Sequence, residues 1–522
     1  MIRRGLISAL ASLALTLTGA SAQSSDAPPL SAIEWLQREL EAPTPPPDDS
    51  PATLLRDETD ARLPQSHFEA IESAPLERTA AESVGLFTAE RVGLPRDLWG
   101  SATVSEVIDG IAALPPDTLP SAKRLTLRLL QAELAPPREE GPDGRDALLL
   151  ARVDKLVEFG ALEQAGQLLQ AVSGPNAALN ARAFDIALLL GEEDRACAAM
   201  RGHIGSEHGQ AAQIFCMARR GDWQVAHSSL RVAQGLQLID DTEALLLTRF
   251  LEEEEEEYPL PPPQQTTPLG WRIMEALGDP VTTAGLPIAY AHADLRGTSG
   301  WRAQLDAAER LTRAGVMQPN RLHGLYLSRR AAASGGLWDR VRVIQALERA
   351  TETRDAAAAS AALEQAWPLF AAAELELALA EMVAEELMGL SFTSNAREIL
   401  WKLAMLSEHT RESAADLAPE STVARIASAL AEGRDIEAIA RAPMAMAIQA
   451  GFAAEPYPES VQALLEAGKP GMVLLDALAR IAEAASGDLN AASAGLIRLR
   501  AIGLDPVARQ IAIELLLLER RG

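Results

Sequence analysis

The chain has 522 residues, of which 48% are hydrophobic and only 4% aromatic, and its formal net charge at pH 7 is −26. This charge excludes a typical nucleic-acid-binding or anionic-membrane-binding protein, because the chain would repel both kinds of polyanion. Alanine and leucine are abundant, and such unbranched residues favour helices over strands. The sequence therefore predicts an all-α fold.

The first 22 residues have the features of a secretory signal peptide. Arg3 and Arg4 provide the positive start, an uncharged and mostly apolar stretch follows, and small residues precede the predicted cleavage after Ala22. The apolar stretch is shorter than the roughly 20 residues of a membrane span, and no later segment is long and uncharged enough to be one. We therefore expect residues 1–22 to be removed and the mature chain to be a soluble, secreted protein of the periplasm.

A proline-rich tether that carries one short amphipathic helix is predicted for residues 23–65. Ser31 and Glu34 form a capping-box signature, which begins a helix over residues 31–41. The apolar side chains of this candidate docking helix are Ile33, Trp35, Leu36 and Leu40. We expect the rest of the tether to be disordered, and the prolines after the helix to extend it. Because so short a helix orders only against another surface, it docks either on its own chain or on another protein.

Helix-to-helix turns indicate a repeat. Gly160, Gly191 and Gly221 lie about 30 residues apart, and each is followed five positions later by alanine and nine positions later by a larger apolar residue. Glycine ends a helix where a left-handed conformation is needed, and alanine lets two helices approach closely. The turn and second helix resemble the tetratricopeptide repeat, with GDWQVA as the best match, and Gly433 and Gly487 begin later copies. The resemblance implies degenerate helical hairpins that stack into a curved α-solenoid.

The two cysteines of the chain, Cys197 and Cys216, are expected to form one disulfide. An exported protein meets an oxidising compartment, where paired thiols usually join. The repeat register also places the two residues on antiparallel neighbouring helices. The alternative, a redox-active pair, lacks the C-x-x-C spacing that lowers a thiol pKa.

An acidic and proline-rich loop over residues 252–267 is predicted to divide the array into two halves, residues 66–251 and residues 268–522. The loop begins with six consecutive glutamates, Glu252–Glu257. This run is either a site for cations or for a basic partner, or a solvated connection without a role of its own.

The second half begins with a tract between Pro268 and Arg342 that is rich in tryptophan and arginine. Aromatic and arginine side chains are typical anchors of protein interfaces. The candidate partner-binding residues of the tract are Tyr326, Arg329, Arg330 and Trp338. The alternative is that Trp271, Trp301 and Trp338 are core residues and that the arginines pair with the excess carboxylates. Together with the tethered helix, this tract resembles uncharacterised secreted alphaproteobacterial proteins, which implies an exported helical protein without a known activity.

Motifs for catalysis, cofactors and metals are missing from the sequence. It contains no H-E-x-x-H, G-x-S-x-G, G-x-x-x-x-G-K-[ST] or G-x-G-x-x-G. Glu412 and Ser413 are similar to the catalytic pair of soluble lytic transglycosylases, but the downstream motifs of that family are not present. We therefore predict a non-enzymatic periplasmic helical-repeat scaffold or adaptor that binds a protein or peptide, without a cofactor. The alternatives are a cell-wall-associated hydrolase or accessory factor with a superhelical body, and a structural spacer.

Overall fold

The structure is a computed structural model that describes residues 83–138, 146–172, 176–200, 209–252, 266–436 and 442–518. The predicted signal peptide, the docking helix and most of the acidic loop lie outside these residues. The described chain is mostly helical, which confirms the predicted all-α class. Its strands, β1 (Phe87–Thr88) and β2 (Ala132–Glu133), are two residues long and pair in parallel.

The helices follow one another with short connections. Those before residue 300 are α1 (Ala89–Val92), α2 (Val104–Ala112), α3 (Pro120–Gln131), α4 (Ala147–Glu158), α5 (Leu162–Gln170), α6 (Ala177–Leu190), α7 (Glu193–Ala199), α8 (Gly209–Arg219), α9 (Trp223–Gly235), α10 (Asp241–Leu251), α11 (Pro268–Ala276) and α12 (Ala291–Asp294). Those after it are α13 (Trp301–Arg313), α14 (Pro319–Leu327), α15 (Leu337–Glu352), α16 (Ala356–Ala371), α17 (Glu376–Leu387), α18 (Ser394–Leu406), α19 (Thr422–Ala431), α20 (Pro443–Ala453), α21 (Glu459–Glu466), α22 (Pro470–Ala485), α23 (Leu489–Ala501) and α24 (Asp505–Leu517). Short 3-10 helices cover Thr283–Gly285, Ile288–Tyr290 and Glu412–Leu417. Consecutive helices pack as hairpins, for example α6 with α7, α8 with α9, and α22 with α23.

The repeated glycine turns have the predicted geometry. Gly160, Gly191 and Gly221 have φ values of 81°, 81° and 86°, in the left-handed region. In each turn the glycine N–H donates to the carbonyl three residues earlier and the next N–H donates to the carbonyl five residues earlier, which is a Schellman motif. The alanines five positions after these glycines are completely buried: Ala165, Ala196 and Ala226. The relation to the tetratricopeptide repeat itself stays a prediction.

The first described helices pack on the last ones. Helices α2 and α3 contact α22, and α3 also contacts α24. The N–H of Ser101 donates to the carbonyl of Gly468 (2.9 Å), and the N–H of Gly471 donates to the carbonyl of Leu98 (2.8 Å). A Cβ atom at Gly471 would lie 2.5 Å from the ring of Trp99, so this approach requires glycine. Contacts between elements so far apart in sequence go beyond the neighbour-to-neighbour packing of a simple solenoid.

A buried carboxylate reinforces the contact between α3 and α24. Glu514 on α24 is completely buried, and it accepts hydrogen bonds from the backbone N–H (3.0 Å) and the hydroxyl group (2.5 Å) of Ser121 on α3. Burial raises the pKa of Glu514, because a charged carboxylate is poorly solvated inside a protein. The two ends of the described chain are thus joined by a polar contact that is sensitive to ionisation.

A separate apolar cluster is built from helices α6 to α11 and contains the disulfide. Cys197 on α7 and Cys216 on α8 are bonded, with their Cα atoms 5.4 Å apart, which confirms the predicted pairing. The same cluster includes Leu247 from before the acidic loop and Leu269 from after it. Helices on both sides of the predicted boundary at residues 252–267 therefore share one core.

Candidate protein-binding surface

The tryptophans of the tract between Pro268 and Arg342 belong mainly to the core. Trp271 on α11 and Trp301 on α13 are buried, and their indole N–H groups donate to backbone carbonyls at 2.9 Å and 3.2 Å. Trp338 on α15 is half-buried, and its ring packs on that of Trp301 with 5.2 Å between the ring centres. These rings therefore stabilise the packing of the helices that begin near them.

Tyr326 departs from the surface position that the sequence predicted. It lies on α14 and is completely buried, and its hydroxyl group donates to Oε1 of Glu309 (2.7 Å). Arg340 on α15 donates from Nε to the same oxygen (2.9 Å). Burial, together with the charge of Glu309, raises the pKa of Tyr326 well above that of an ordinary phenol. The side chain therefore links α13, α14 and α15, and it is not available to a partner at the surface.

The arginines of the tract fall into two groups. Arg340 and Arg342 each pair with a carboxylate. Arg329 and Arg330 are exposed in the loop after α14, and neither side chain forms an ion pair or hydrogen bond with any residue in the described ranges. The backbone of this loop is fixed, because the side-chain amide of Gln345 donates to the carbonyl of Arg329 (2.7 Å). Two unpaired cations in an acidic protein are suited to an acidic partner.

The docking helix predicted from the sequence lies outside the described residues, together with its apolar side chains Ile33, Trp35, Leu36 and Leu40. Its docking on its own chain or on another protein stays a prediction.

A different surface carries most of the exposed apolar side chains. Six of the ten large hydrophobic residues that are exposed in the described chain lie between residues 223 and 245. They are Trp223, Val225, Val232, Leu236, Leu238 and Leu245. They belong to α9, to the loop after it and to α10, next to the hairpin that the disulfide joins. Clusters of this kind on a folded protein mark interaction sites, because water-exposed apolar surface gains free energy when a partner covers it.

Helix α9 has two apolar faces. Its inner face carries Ala226, Leu230 and Ala233, which are buried against the neighbouring helices. Its outer face carries Val225 and Val232, whose exposed fractions are 54% and 57%. These valines are two helical turns apart, so they lie on one stripe.

The outer face of α9 forms a wall of a groove of about 600 Å³, which we call the α9 groove. Its lining contains no charged side chain and includes Gln210, Val225, Ser228, Ser229, Val232 and Leu238. Apolar side chains that line a groove can receive the apolar face of an amphipathic partner helix.

Acidic residues lie next to both ends of helix α9 in the chain. They are Asp222 before it and Asp240, Asp241 and Glu243 after it. Arg220 lies 3.5 Å from Asp222 and partly offsets it. Arg231 is the exposed cation on α9 itself. The chain on both sides of α9 is therefore mainly acidic, whereas the lining of the groove is uncharged.

The turn before α9 is predicted by the sequence, whereas this groove is not among the predicted features. The signal was present, because Val225, Val232 and Leu236 recur at helical spacing on a different side from the buried alanines. The sequence alone does not distinguish this exposed apolar stripe from a buried one, because a helix packed between two neighbours also has two apolar faces.

A polar cleft of about 310 Å³ lies between α3, α13, α17 and the segment after α18. Arg124 on α3 contacts Glu381 on α17 (3.8 Å) and Glu408 (2.5 Å). Burial raises the pKa of Glu381, which Arg124 opposes and Glu408 reinforces. Paired carboxylates in one cleft are the minimum that acid–base hydrolysis needs, although here one guanidinium group bridges both.

In the described ranges, no three His, Cys, Asp or Glu side chains are grouped as a metal ion would require. Of the helices described above, none combines the length and the apolar character that crossing a membrane takes. Comparison of the chain with protein-family models, with curated proteins and with solved structures finds no match.

Proposed function

We propose that this protein is a non-enzymatic helical-repeat scaffold of the periplasm, which binds a protein or peptide partner in the α9 groove. The observation that carries the proposal is the concentration of exposed apolar side chains on and beside one helix of an otherwise acidic protein. Fully burying a valine or leucine side chain contributes about 1.5–3 kcal/mol, so covering this cluster would favour binding of a partner.

Two further features support this function. The predicted signal peptide and the disulfide between Cys197 and Cys216 fit an exported protein. The glycine turns and buried alanines fit stacked hairpins, which we infer to form one repeat array, closed by the packing of α2 and α3 on α22 and α24. Repeat arrays present long surfaces on which protein segments bind.

Arg329 and Arg330 form a second proposed contact. Both are exposed and unpaired within the described chain, so an acidic segment of the partner gains two charge-assisted hydrogen-bonding sites there. Of the four predicted partner-binding residues, Arg329 and Arg330 are the two that are exposed.

The test is a cross-linking pull-down from the periplasm with matched variants. A Val225→Ser/Val232→Ser double variant is expected to lose the partner, whereas Met446→Ser, which changes an equally exposed side chain on α20, is expected to retain it. An Arg329→Glu/Arg330→Glu variant tests the second contact. Equal capture by all variants, with unchanged circular dichroism spectra, would contradict the proposed binding surfaces.

A cell-wall hydrolase is the second candidate function, and the cleft around Arg124 favours it. Glu381 has a raised pKa, as a proton donor requires, and Glu408 shares the cleft. A Glu381→Gln variant that abolishes release of soluble fragments from purified peptidoglycan would establish this function. Wild-type protein that releases none would exclude it for this substrate.

A further inference from the structure

The two serines that line the α9 groove already have hydrogen-bonding partners. The hydroxyl group of Ser228 donates to the carbonyl of Gln224 (2.9 Å), and that of Ser229 contacts Sδ of Met217 (3.6 Å). A partner side chain can therefore cover both serines without leaving a donor unsatisfied. Small serines between Val225 and Val232 make a depression into which a larger apolar side chain fits.

The length and period of the exposed stripe match a helix. Helix α9 has 13 residues, which is about 20 Å at 1.5 Å per residue. Exposed apolar positions recur at intervals of seven and four residues, at Val225 and Val232 on α9 and at Leu236 directly after it. A second helix laid along the stripe meets these side chains with its own residues at i, i+4 and i+7.

The residues around α9 select the charge of that helix. Acidic residues precede and follow α9 in the chain (Asp222, Asp240, Asp241 and Glu243), and they outnumber the exposed cations Arg220 and Arg231. A second copy of this chain would bring the same acidic residues and its own net charge of −26 against them, which is repulsive. A segment with lysine or arginine beside its apolar stripe would instead be attracted at both ends.

We propose that the occupant of the α9 groove is a basic amphipathic helix of a partner protein. This inference rests on the proposed function and specifies the chemistry of the partner. The basic flanks increase the association rate and select the partner, whereas the apolar stripe holds it in place.

The probe is a pair of synthetic peptides of about 18 residues, long enough to form a helix on a surface. Both carry the same leucine stripe, and one has lysines where the other has glutamates. Fluorescence anisotropy with the full mature protein is expected to show the lysine peptide binding at least about tenfold more tightly at low salt. The difference is expected to shrink as salt rises from roughly 0.05 to 0.5 M.

The variants separate this inference from the proposed function. The Val225→Ser/Val232→Ser variant is expected to bind the lysine peptide at least about tenfold more weakly. The Met446→Ser variant is expected to bind it as tightly as the wild type does. Equal binding of both peptides, lost in the valine variant, would overturn the basic helix but retain the binding groove. No binding of either peptide would count against both the groove and its basic occupant. Sedimentation that shows a dimer, converted to a monomer by Val232→Glu, would assign the groove to a second copy and overturn the inference.

Discussion

Helices α9 and α23 follow the same kind of glycine turn, yet their outer faces differ. Gly487 before α23 and Gly221 before α9 both have positive φ, and Ala492 and Ala226, five residues later, are both completely buried. Helix α23 is then covered by α20, α22 and α24, whereas α9 packs mainly on α8 and α10. The turn therefore determines the inner stripe of the second helix, and its neighbours determine whether the outer stripe becomes core or binding surface.

The strongest test of this difference places a charge on a covered stripe of α23 and on the outer face of α9. Leu496 on α23 is completely buried and lies against Gly451 of α20. Leu496→Asp therefore buries an unpaired carboxylate, and we expect it to lower the free energy of unfolding by more than about 4 kcal/mol or to prevent folding. Val232→Asp on α9 is expected to change it by less than about 0.5 kcal/mol, because the site is solvated. Urea unfolding of both variants measures the difference. Similar losses would mean that the outer face of α9 is structural.

The disulfide next to α9 stabilises the less covered of the two regions. The cysteines are 19 residues apart, and a loop of this size contributes about 3 kcal/mol in the chain-entropy model. Cys197→Ser is therefore expected to lower thermal stability without changing helix content by circular dichroism. Thiol titration of the unfolded, unreduced protein is expected to find no free cysteine, and two free thiols would contradict the pairing.

The stability of the region around α23 also depends on pH, through Glu514 on the adjoining helix α24. Its pKa is raised above the ordinary 4.5 by burial, so the folded protein binds this proton more tightly than the unfolded chain does. Stability from this group is therefore greatest below pH 4.5 and falls as the pH rises towards the folded-state pKa. Each unit of pKa difference corresponds to about 1.4 kcal/mol.

Glu514→Gln, which cannot ionise, is the matched variant for this effect. The free energy of unfolding of the wild type, relative to the variant, is expected to decrease from pH 4.5 upwards. A constant difference across this range would show that Glu514 does not titrate differently in the folded protein.

The smallest expected effect is a difference in stability between variants of a buried and of an exposed residue among the predicted partner-binding residues. Tyr326→Phe removes the hydrogen bond to Glu309 and is expected to cost about 1–2 kcal/mol of unfolding free energy. Arg329→Ala removes an exposed side chain and is expected to cost less than about 0.5 kcal/mol. Thermal denaturation of the two variants checks the assignment, and a larger loss for Arg329 would reverse it.

Local features of this fold were predictable from the sequence because their causes are local. Glycine before an alanine at the fifth position reports a left-handed turn and a close helix contact, and the cysteine spacing placed two thiols on adjacent helices. The packing of α2 and α3 on α22 and α24 was not predictable, because it depends on contacts between residues nearly 370 positions apart, such as Ser101 and Gly468.

The position of the candidate binding surface was not predictable either, because it also depends on which helices pack together. Tyr326 and Val232 each belong to an apolar stripe at helical spacing. The local sequence does not show which of the two a neighbouring helix covers. Tyr326 is covered by the adjoining helices, and its hydroxyl group donates to Glu309, which also accepts a hydrogen bond from Arg340. Val232 is exposed because no helix in the described chain packs over that side of α9.

The most direct test of partner binding at the outer face of α9 is site-specific photo-cross-linking in intact cells that export the protein. A photoreactive amino acid at position 232 on α9 is compared with one at position 446 on α20, which replaces a side chain of similar exposure. We expect a discrete cross-linked partner from position 232 that is missing from position 446. Equal cross-linking from both positions, or none from position 232 when the protein is folded and exported, would contradict it.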